Sequence, residues 1–481
     1  MMDVIRKVTK ILPITLFLIF IGFQSGLLAK GAQNGATAQA PVVQAEHAAN
    51  ALPDTFMVVP FILLLIMIAT GPLLYKRFWE KHYVKVSLLL AFIVISYYMI
   101  FLNDAGSVLH TASEYISFIA LLSSLFIVSG GILIKVDKKA TPVLNVLFLF
   151  FGAVVSNIIG TTGASMLLIR PFIKMNRGRI APYHIVFFIF IISNMGGALT
   201  PIGDPPLFLG FLKGVPFLWV IENVWYIWLP AIALALTAFY FYDASNKKES
   251  VSKTEYTGKV KISGYINFVY LGVIILAVFI DPGVISWVPS LSPLPFGLRE
   301  VIMFAVSFAA YKKADIKILK ANEFDFEPIK EVAFLFIGIF ATMIPALQLI
   351  AHEAKAMGTK LDAGIFYWSS GALSSVLDNA PTYLNFLSAE MGKYGLNVNV
   401  KADVINFVLK DPLYLRAVSV GSVFFGAFTY IGNGPNFMVK SISEKAGIEM
   451  PGFMSYILKY SVIILLPLFT IIWLLFFFNR G

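Results

Sequence analysis

Apolar runs of 17–25 residues recur along almost the whole chain. That is the length a helix needs to cross a hydrocarbon core about 30 Å thick. A soluble helical protein would carry apolar stripes at a 3.6-residue period instead. Composition agrees, with 58% of the 481 residues hydrophobic and 13% charged, where soluble domains carry about 25% charged residues. The chain therefore reads as an all-α polytopic membrane protein. Spanning runs are expected near 53–75, 84–102, 114–134, 183–212, 216–242, 264–280, 298–311, 331–351, 413–439 and 452–478. Two further apolar stretches, 142–173 and 364–389, are interrupted by polar residues.

The net charge of +10 does not point to nucleic acid, because Lys and Arg sit in short loops between apolar runs, as the positive-inside rule requires. These loops carry Lys76, Arg77, Lys81 and Lys85, then Lys135, Lys138 and Lys139, then Lys174, Arg177 and Arg179. Two longer ones hold Lys247, Lys248, Lys253, Lys259 and Lys261, and Lys312, Lys313, Lys317, Lys320 and Lys330. If 142–173 crossed the membrane, the basic groups on its two sides would face opposite compartments. If it enters and leaves on one side, every basic loop is cytoplasmic, and the linkers 103–113 and 281–297 are external. Each arm of about 15 residues covers roughly 22 Å, short of the full core. A re-entrant hairpin fits both length and charge, and the same argument makes 364–389 a hairpin from the other side. Such backbone is tolerated where it is buried in protein or lines a watery cavity.

The halves carry related motifs. Gly197-Ala-Leu-Thr-Pro-Ile-Gly-Asp-Pro-Pro-Leu-Phe-Leu209 aligns without a gap to Gly426-Ala-Phe-Thr-Tyr-Ile-Gly-Asn-Gly-Pro-Asn-Phe-Met438, with 7 of 13 positions identical. Upstream, Gly152, Ala153 and Ser156 match Gly371, Ala372 and Ser375, and Glu114 opens one span much as Glu331 opens another. The organisation expected is an N-terminal half at 53–242, with its hairpin at 142–173 and broken helix at 183–212. A cytoplasmic basic loop follows at 243–263. The C-terminal half at 264–478 has its hairpin at 364–389 and broken helix at 413–439. With hairpins on opposite faces the repeats are inverted, an arrangement of secondary transporters with a midplane site. Residues 1–40, with Arg6, Lys7 and Lys10 before an apolar run and Ala38-Gln39-Ala40 after it, read as a signal peptide or an extra N-terminal helix.

The motifs supply oxygen ligands. Pro205 and Pro206 are expected to free the Pro201 and Ile202 carbonyls, with Thr200 and Asp204 beside the break. The second motif offers Thr429, Asn433 and Asn436, with Asn433 aligned to Asp204. The first hairpin tip holds Ser156, Asn157, Thr161 and Thr162; the second holds Ser375, Asp378, Asn379 and Thr382. Asn194, just upstream of the first motif, completes the candidate ion-coupling set, and Glu114 and Glu331 are candidate proton-linked groups. Hard oxygens suit Na+, and its seat is expected at Thr200, Asp204, Asp378 and Asn433. An intramembrane carboxylate is a functional candidate by default, and for Asp378 that reading is preferred over a cap on the hairpin turn. Competition of H+ and Na+ for one carboxylate would couple them, so Asp378→Asn is expected to abolish exchange.

Other classes are disfavoured. With no cysteines, thiol chemistry and disulfides are excluded. His47, His82, His110, His184 and His352 are the five histidines, none at ligand spacing from another. No phosphate-cradling Gly-Lys-Ser/Thr run supports an ATP-driven pump. Neither an enzyme nor a resident cofactor is expected.

Ser156-Asn-Ile-Ile-Gly-Thr-Thr162, Gly197-Ala-Leu-Thr-Pro-Ile-Gly-Asp-Pro-Pro206, Leu377-Asp-Asn-Ala-Pro-Thr382 and Gly432-Asn-Gly-Pro-Asn436 resemble the ion-transporter superfamily, over roughly 55–478. The nearest resemblance is to NhaD-type sodium/proton antiporters, with arsenite permeases and citrate or dicarboxylate transporters as relatives. The resemblance implies an elevator transporter, a homodimer in a bacterial-type inner membrane, and a small ion as cargo. It also implies one Na+ site joining Ser156, Asn157 and Thr161 to Thr200 and Asp204, and another joining Ser375, Asp378 and Asn379 to Thr429 and Asn433. Na+(Li+)/H+ antiport is the leading expectation. The first hairpin departs from the antiporter pattern in its neutral tip, which suits carboxylates. Na+-coupled citrate or dicarboxylate transport, or arsenite or other oxyanion transport, is the alternative. A carboxylate carrier would call for a basic clamp, for which Arg170, Arg416 and Lys440 are the candidates.

Overall fold

One glycine turns the longest apolar stretch back on itself. In this computed structural model, which describes residues 52–136, 140–246, 260–281, 288–289, 294–357 and 362–478, Pro142–Met175 is helical on both sides of Gly160, at φ 77° and ψ 154°. That conformation is open to glycine and strained for other L-residues. Asn145 and Asn176, 31 residues apart, exchange side-chain hydrogen bonds of 2.8 and 2.9 Å. The rings of Phe148 and Phe172 stack 5.3 Å apart. A straight helix would hold the two asparagines about 46 Å apart. The stretch is a hairpin with Gly160 at its tip.

The second hairpin is made of Ala363–Ser374 and Asn379–Lys393. Asp362 caps the first arm through the Ile365 amide at 2.7 Å, and Asp378 caps the second through the Ala380 amide at 3.0 Å. Phe366 and Phe386 meet edge to face between the arms, 6.2 Å apart.

Around the hairpins stand long apolar helices. Among the described residues eight are long and apolar enough to cross a membrane, one of them the folded-back Pro142–Met175. Lys76–Ile100, Ala105–Gly130, Phe217–Ala244, Glu327–Ala354 and Phe453–Phe476 are the longest of the others. Their outer faces are apolar, as Ile62, Ile66, Leu89 and Phe92 illustrate, which suits contact with lipid chains. At the centre, every residue from Ile185 to Ile192 is fully buried.

Several boundaries differ from the sequence reading. Lys76, Arg77, Lys81 and Lys85 are not a loop but the first turns of Lys76–Ile100, because nothing there breaks a helix and Lys76 pairs with Glu80 at 3.8 Å. The 103–113 linker is mostly helix, since Asp104 caps Ala105–Gly130 by accepting the Ser107 amide at 3.0 Å. Two basic loops are joined by an antiparallel ribbon, Leu133–Val136 with Val260–Ser263, that pairs Lys135 with Lys261. Ile316–Ala321 forms a short helix within 312–330. Residues 1–40, read as a signal peptide or extra helix, and 247–259 of the basic loop lie outside the described residues.

Contacts sort the connections into two groups at the two ends of Ala105–Gly130. At the Gly130 end, Asn322 donates to the Gly130 and Ile132 carbonyls at 2.8 and 2.7 Å, and Asn267 to Gly131 at 2.9 Å. Arg170 of the first hairpin meets Glu323 there at 3.2 Å. At the other end, Lys213 pairs with Glu114 at 2.7 Å and donates to Asn399 at 2.6 Å, and Arg299 pairs with Asp281 at 3.3 Å. The base of the first hairpin belongs to the first group. The chain leaving the second hairpin, toward Asn399, belongs to the second.

Candidate functional site

The two motifs adopt one backbone course. Pro182–Ile191 leads to a 3-10 turn at Met195–Leu199. Thr200 is then extended (φ −136°, ψ 154°), Asp204 extended (−143°, 144°), and Pro205–Lys213 helical. Pro412–Phe425 leads likewise to a turn at Gly426–Phe428, extended Thr429 (−135°, 170°) and Asn433 (−152°, 141°), and helical Gly434–Lys445. In each break the chain passes so close to itself that a side chain would not fit. A methyl on Gly203 would overlap the Gly197 carbonyl, and one on Gly432 would stand 2.7 Å from the Gly426 carbonyl.

Pro205 and Pro206 do not make the break, contrary to the sequence reading. They open the next helix, at its first two positions, where a missing amide hydrogen costs nothing. Their effect falls on Asp204. The residue stands at the N-cap but makes no side-chain cap bond: Pro206 at the second position has no amide, and the Leu207 amide donates to the Asp204 backbone carbonyl at 3.1 Å.

The Asp204 carboxylate looks outward to three other segments. Thr161, at the first hairpin tip, donates its hydroxyl to Oδ1 at 2.7 Å. Asn433, in the second break, donates to the same oxygen at 3.1 Å. Asn379, at the second hairpin tip, donates its amide to Oδ2. Asp204 is 1% exposed and Asn379 fully buried. Both hairpin tips and both breaks therefore meet at one carboxylate.

Beside it, Asn194 donates to the Asn436 Oδ1 at 2.7 Å and to the Ile189 carbonyl at 2.8 Å. A methyl on Gly426 would touch both Asn194 Oδ1, at 2.9 Å, and Asn379 Nδ2, at 3.6 Å, so the two amides converge over that glycine. The Oδ1 atoms of Asn194 and Asn379 are buried without a hydrogen-bond partner. Unpaired buried acceptors are uncommon and costly, and two of them border this carboxylate.

The remaining candidates divide into latches and outliers. Thr200 donates to the Asn157 carbonyl at 2.6 Å, and Asn157 accepts the Leu199 amide at 2.8 Å. Thr429 likewise donates to the Ser375 carbonyl at 2.5 Å. Each break is thus tied to the hairpin of its own half. Asn436 donates to the Gly426 and Thr429 carbonyls at 2.8 and 2.9 Å. Ser156 donates to Ile192 and Thr382 to Asp378 backbone oxygens, both at 2.9 Å. Thr162 lines a cleft with Gly160, Thr161, Ile202 and Gly203 against Leu122 and Leu125. Asp378 is half-buried and serves as the Ala380 cap, within electrostatic range of Asp204. Glu331 is exposed, and Glu114 lies in the ion pair with Lys213, away from the breaks.

No basic clamp faces Asp204 among these residues. Arg170 meets Glu323, Arg416 bonds Tyr226, and Lys440 pairs with Glu444 at 2.6 Å. The sequence reading missed Lys213, which is 4% exposed, because it follows an apolar run as a helix-end lysine would. Arg179 does lie in the turn after Met175, as the sequence suggests, but its burial was not foreseen. Arg179 is buried against Asp243 at 2.8 Å, with His184 3.1 Å from the same carboxylate and Tyr183 donating to it at 2.8 Å.

Residues 49–477 match the model of one protein family, whose description is "putative citrate transport". No curated protein matches the sequence.

Proposed function

The chain belongs to that citrate transport family, and from this premise we propose a secondary transporter in which Asp204 carries the exchanged cation: Na+ or Li+ against H+. The observation that carries the reading is the convergence of Thr161, Asn379 and Asn433 on the Asp204 carboxylate. The ring holds one acid and no base, with two unbonded amide oxygens beside it. Such a set is a seat for a cation, metal or proton. A proton and a metal ion cannot both neutralise one carboxylate, so occupancy by one expels the other.

The same geometry gives the coupling a path. Each hairpin is latched to its own break, and the bases of the two hairpins lie toward opposite ends of the molecule. We read the halves as inverted repeats, with the basic Gly130 end cytoplasmic. The hairpins and breaks then move together past the surrounding helices, exposing Asp204 to one side and then the other. The resemblance drawn from the sequence supports a homodimer for this motion.

A second reading rests on the family match itself: Na+-coupled uptake of citrate or a related carboxylate, with Asp204 holding the coupling ion. The cleft at Thr161, Thr162 and Gly203 would then meet the anion through hydroxyl and backbone groups. Proteoliposomes holding a pH dye distinguish the two. Dissipation of an imposed pH gradient by Na+ or Li+ without carboxylate supports exchange. Uptake of labelled citrate that requires Na+, with no cation-driven proton movement, overturns exchange in favour of the carboxylate carrier.

A further inference from the structure

The returning arm of the second hairpin, Asn379–Lys393, carries a carboxyl group that the scheme above does not use. Glu390 is fully buried, and neither of its carboxyl oxygens has a hydrogen-bond partner. Packing does not account for it. Leu387 and Met391 beside it are buried apolar residues, Gly392 lies against the Ala351 backbone, and Ser388 donates to the Leu347 carbonyl at 2.8 Å. A leucine or methionine would suit such a place better than an unpaired carboxyl group, whose burial is unfavourable ionised or neutral.

Its position on the helix relates it to the central site. Asn379, Tyr383 and Glu390 stand at i, i+4 and i+11, within about 40° of one another on one face. Asn379 donates to Asp204. The Tyr383 hydroxyl packs on Gly210, in the half-helix that Asp204 opens. Glu390 follows about 16 Å beyond Asn379 along the axis, toward the end where Tyr394 bonds Asp411.

Ionisable groups lie on its own arm and on segments packed against that arm. Its own arm supplies Tyr383 and Lys393, and Asp411 and Lys393 are the charges it senses most. Tyr414 accepts from Lys393 at 2.7 Å. Lys213 of Pro205–Lys213 is held by Glu114 at 2.7 Å. Glu327–Met357 supplies His352 and Glu353, 3.8 Å apart with exposed side chains. Among the described residues no cluster of three acids or histidines could hold a metal ion, so the ligand suited to Glu390 is a proton.

We infer that Glu390 is a proton-binding station of the transport cycle, between the Asp204 cluster and the end of the molecule that bears Asp411. The inference rests on proton-coupled transport as proposed above. It also accounts for the missing partners: a fixed hydrogen bond would hold the group in one protonation state through the cycle.

Glu390→Gln and Glu390→Asp test it, each purified and reconstituted beside the wild type. The measurements are proton movement against Na+ across pH, melting temperature, and the melting shift produced by Na+. Glu390→Gln is expected to melt at or above the wild-type temperature and to keep the Na+ shift. Its proton movement should fall at least tenfold with a flattened pH profile, and Glu390→Asp should restore the profile in part. An unchanged rate and profile in Glu390→Gln overturns the inference. So does a loss of melting temperature with proportionate loss of activity at every pH, which is the signature of a structural role. Absence of any proton movement in the wild type overturns this inference and the exchange reading together, whereas wild-type movement with an unchanged Glu390→Gln overturns this inference alone.

Discussion

Asn433 donates its side-chain amide to Asp204 at 3.1 Å, across 229 residues of sequence. These two residues are aligned in the paired motifs, one as a charge and one as an amide. Each half supplies what the other lacks: the first the acid, the second the donor that holds it. With Thr161 and Asn379 on the same carboxylate, movement of either hairpin tip must disturb the acid, which is the link a coupled carrier requires.

Asp204→Asn should remove coupled transport, at least 100-fold, with little cost in stability. The new amide would place a donor opposite the Asn379 amide. Asn379 has an unbonded carbonyl oxygen, and rotating its amide by half a turn would present that oxygen instead. The melting penalty should therefore stay within about 1 kcal/mol, the net worth of one hydrogen bond. Vesicle transport and a melt with and without Na+ measure both; a variant that still exchanges at the wild-type rate would remove Asp204 from the mechanism.

Asp378 is expected to behave differently, and here the structure shifts the weight of the sequence argument. Its carboxylate accepts the Ala380 amide at 3.0 Å as a helix cap, and asparagine caps helices about as well as aspartate. Asp378→Asn should keep most of its stability and lose less than tenfold in transport, while Asp378→Ala should cost about 1 kcal/mol through the lost cap. Abolition of exchange by Asp378→Asn would return this residue to the centre of the chemistry.

The ease of reading these sites followed the range of their contacts. The pairing of Thr200 with the first hairpin, and of Thr429 with the second, was implied by the family resemblance, and hydrogen bonds to Asn157 and Ser375 join the same segments. A shared seat for Asp204 and Asn433 was expected, but the place of Asn379 on the same carboxylate was not, since nothing local says which half a buried amide will face. The burial of Arg179 was missed for a related reason: it lies in the turn expected, but its partner Asp243 is 64 residues on, and a basic residue after an apolar run ordinarily faces water. Glu390 fell just past the expected end of the hairpin at 389, so its burial carried no signal. Gly160 shows the opposite case, because the short arms and the flanking charges had already called for a reversal near it.

Asp243→Ala should be among the most damaging changes outside the central site. Arg179 is 6% exposed and His184 fully buried, so removing the carboxylate strands a buried guanidinium beside a histidine. Loss of one partner from a buried ion pair costs about 3–5 kcal/mol. Expression as a folded, monodisperse protein should fall sharply, as size-exclusion chromatography in detergent would report. A well-folded variant with a melting temperature near the wild type would show that Asn145 and Asn176 hold the hairpin base unaided.

Gly203→Ala tests the close approach within the first break. The added methyl would meet the Gly197 carbonyl oxygen, a backbone atom that cannot rotate away. Overpacking costs about 1–3 kcal/mol, and the upper end is expected here. Gly434→Ala is the control, because nothing lies within 4 Å of the methyl it would add. If the two variants melted alike, the Gly197–Gly203 contact would not be what shapes the break.

The hairpin at Gly160 makes the sharpest topological prediction. Thr141 and Arg177 flank it and are exposed, and their neighbours Asn145 and Asn176 are bonded to one another. The chain has no cysteine of its own, so single cysteines can be introduced without a background. Thr141→Cys and Arg177→Cys should both react with a membrane-impermeant maleimide in one orientation of sealed vesicles, and neither should react in the inverted orientation. A hairpin that left the membrane where it entered would give that result whichever compartment the basic loops occupy. Labelling from opposite sides would mean that the segment crosses the bilayer, and the sidedness argument that begins with Lys135 and Lys174 would have to be rebuilt from there.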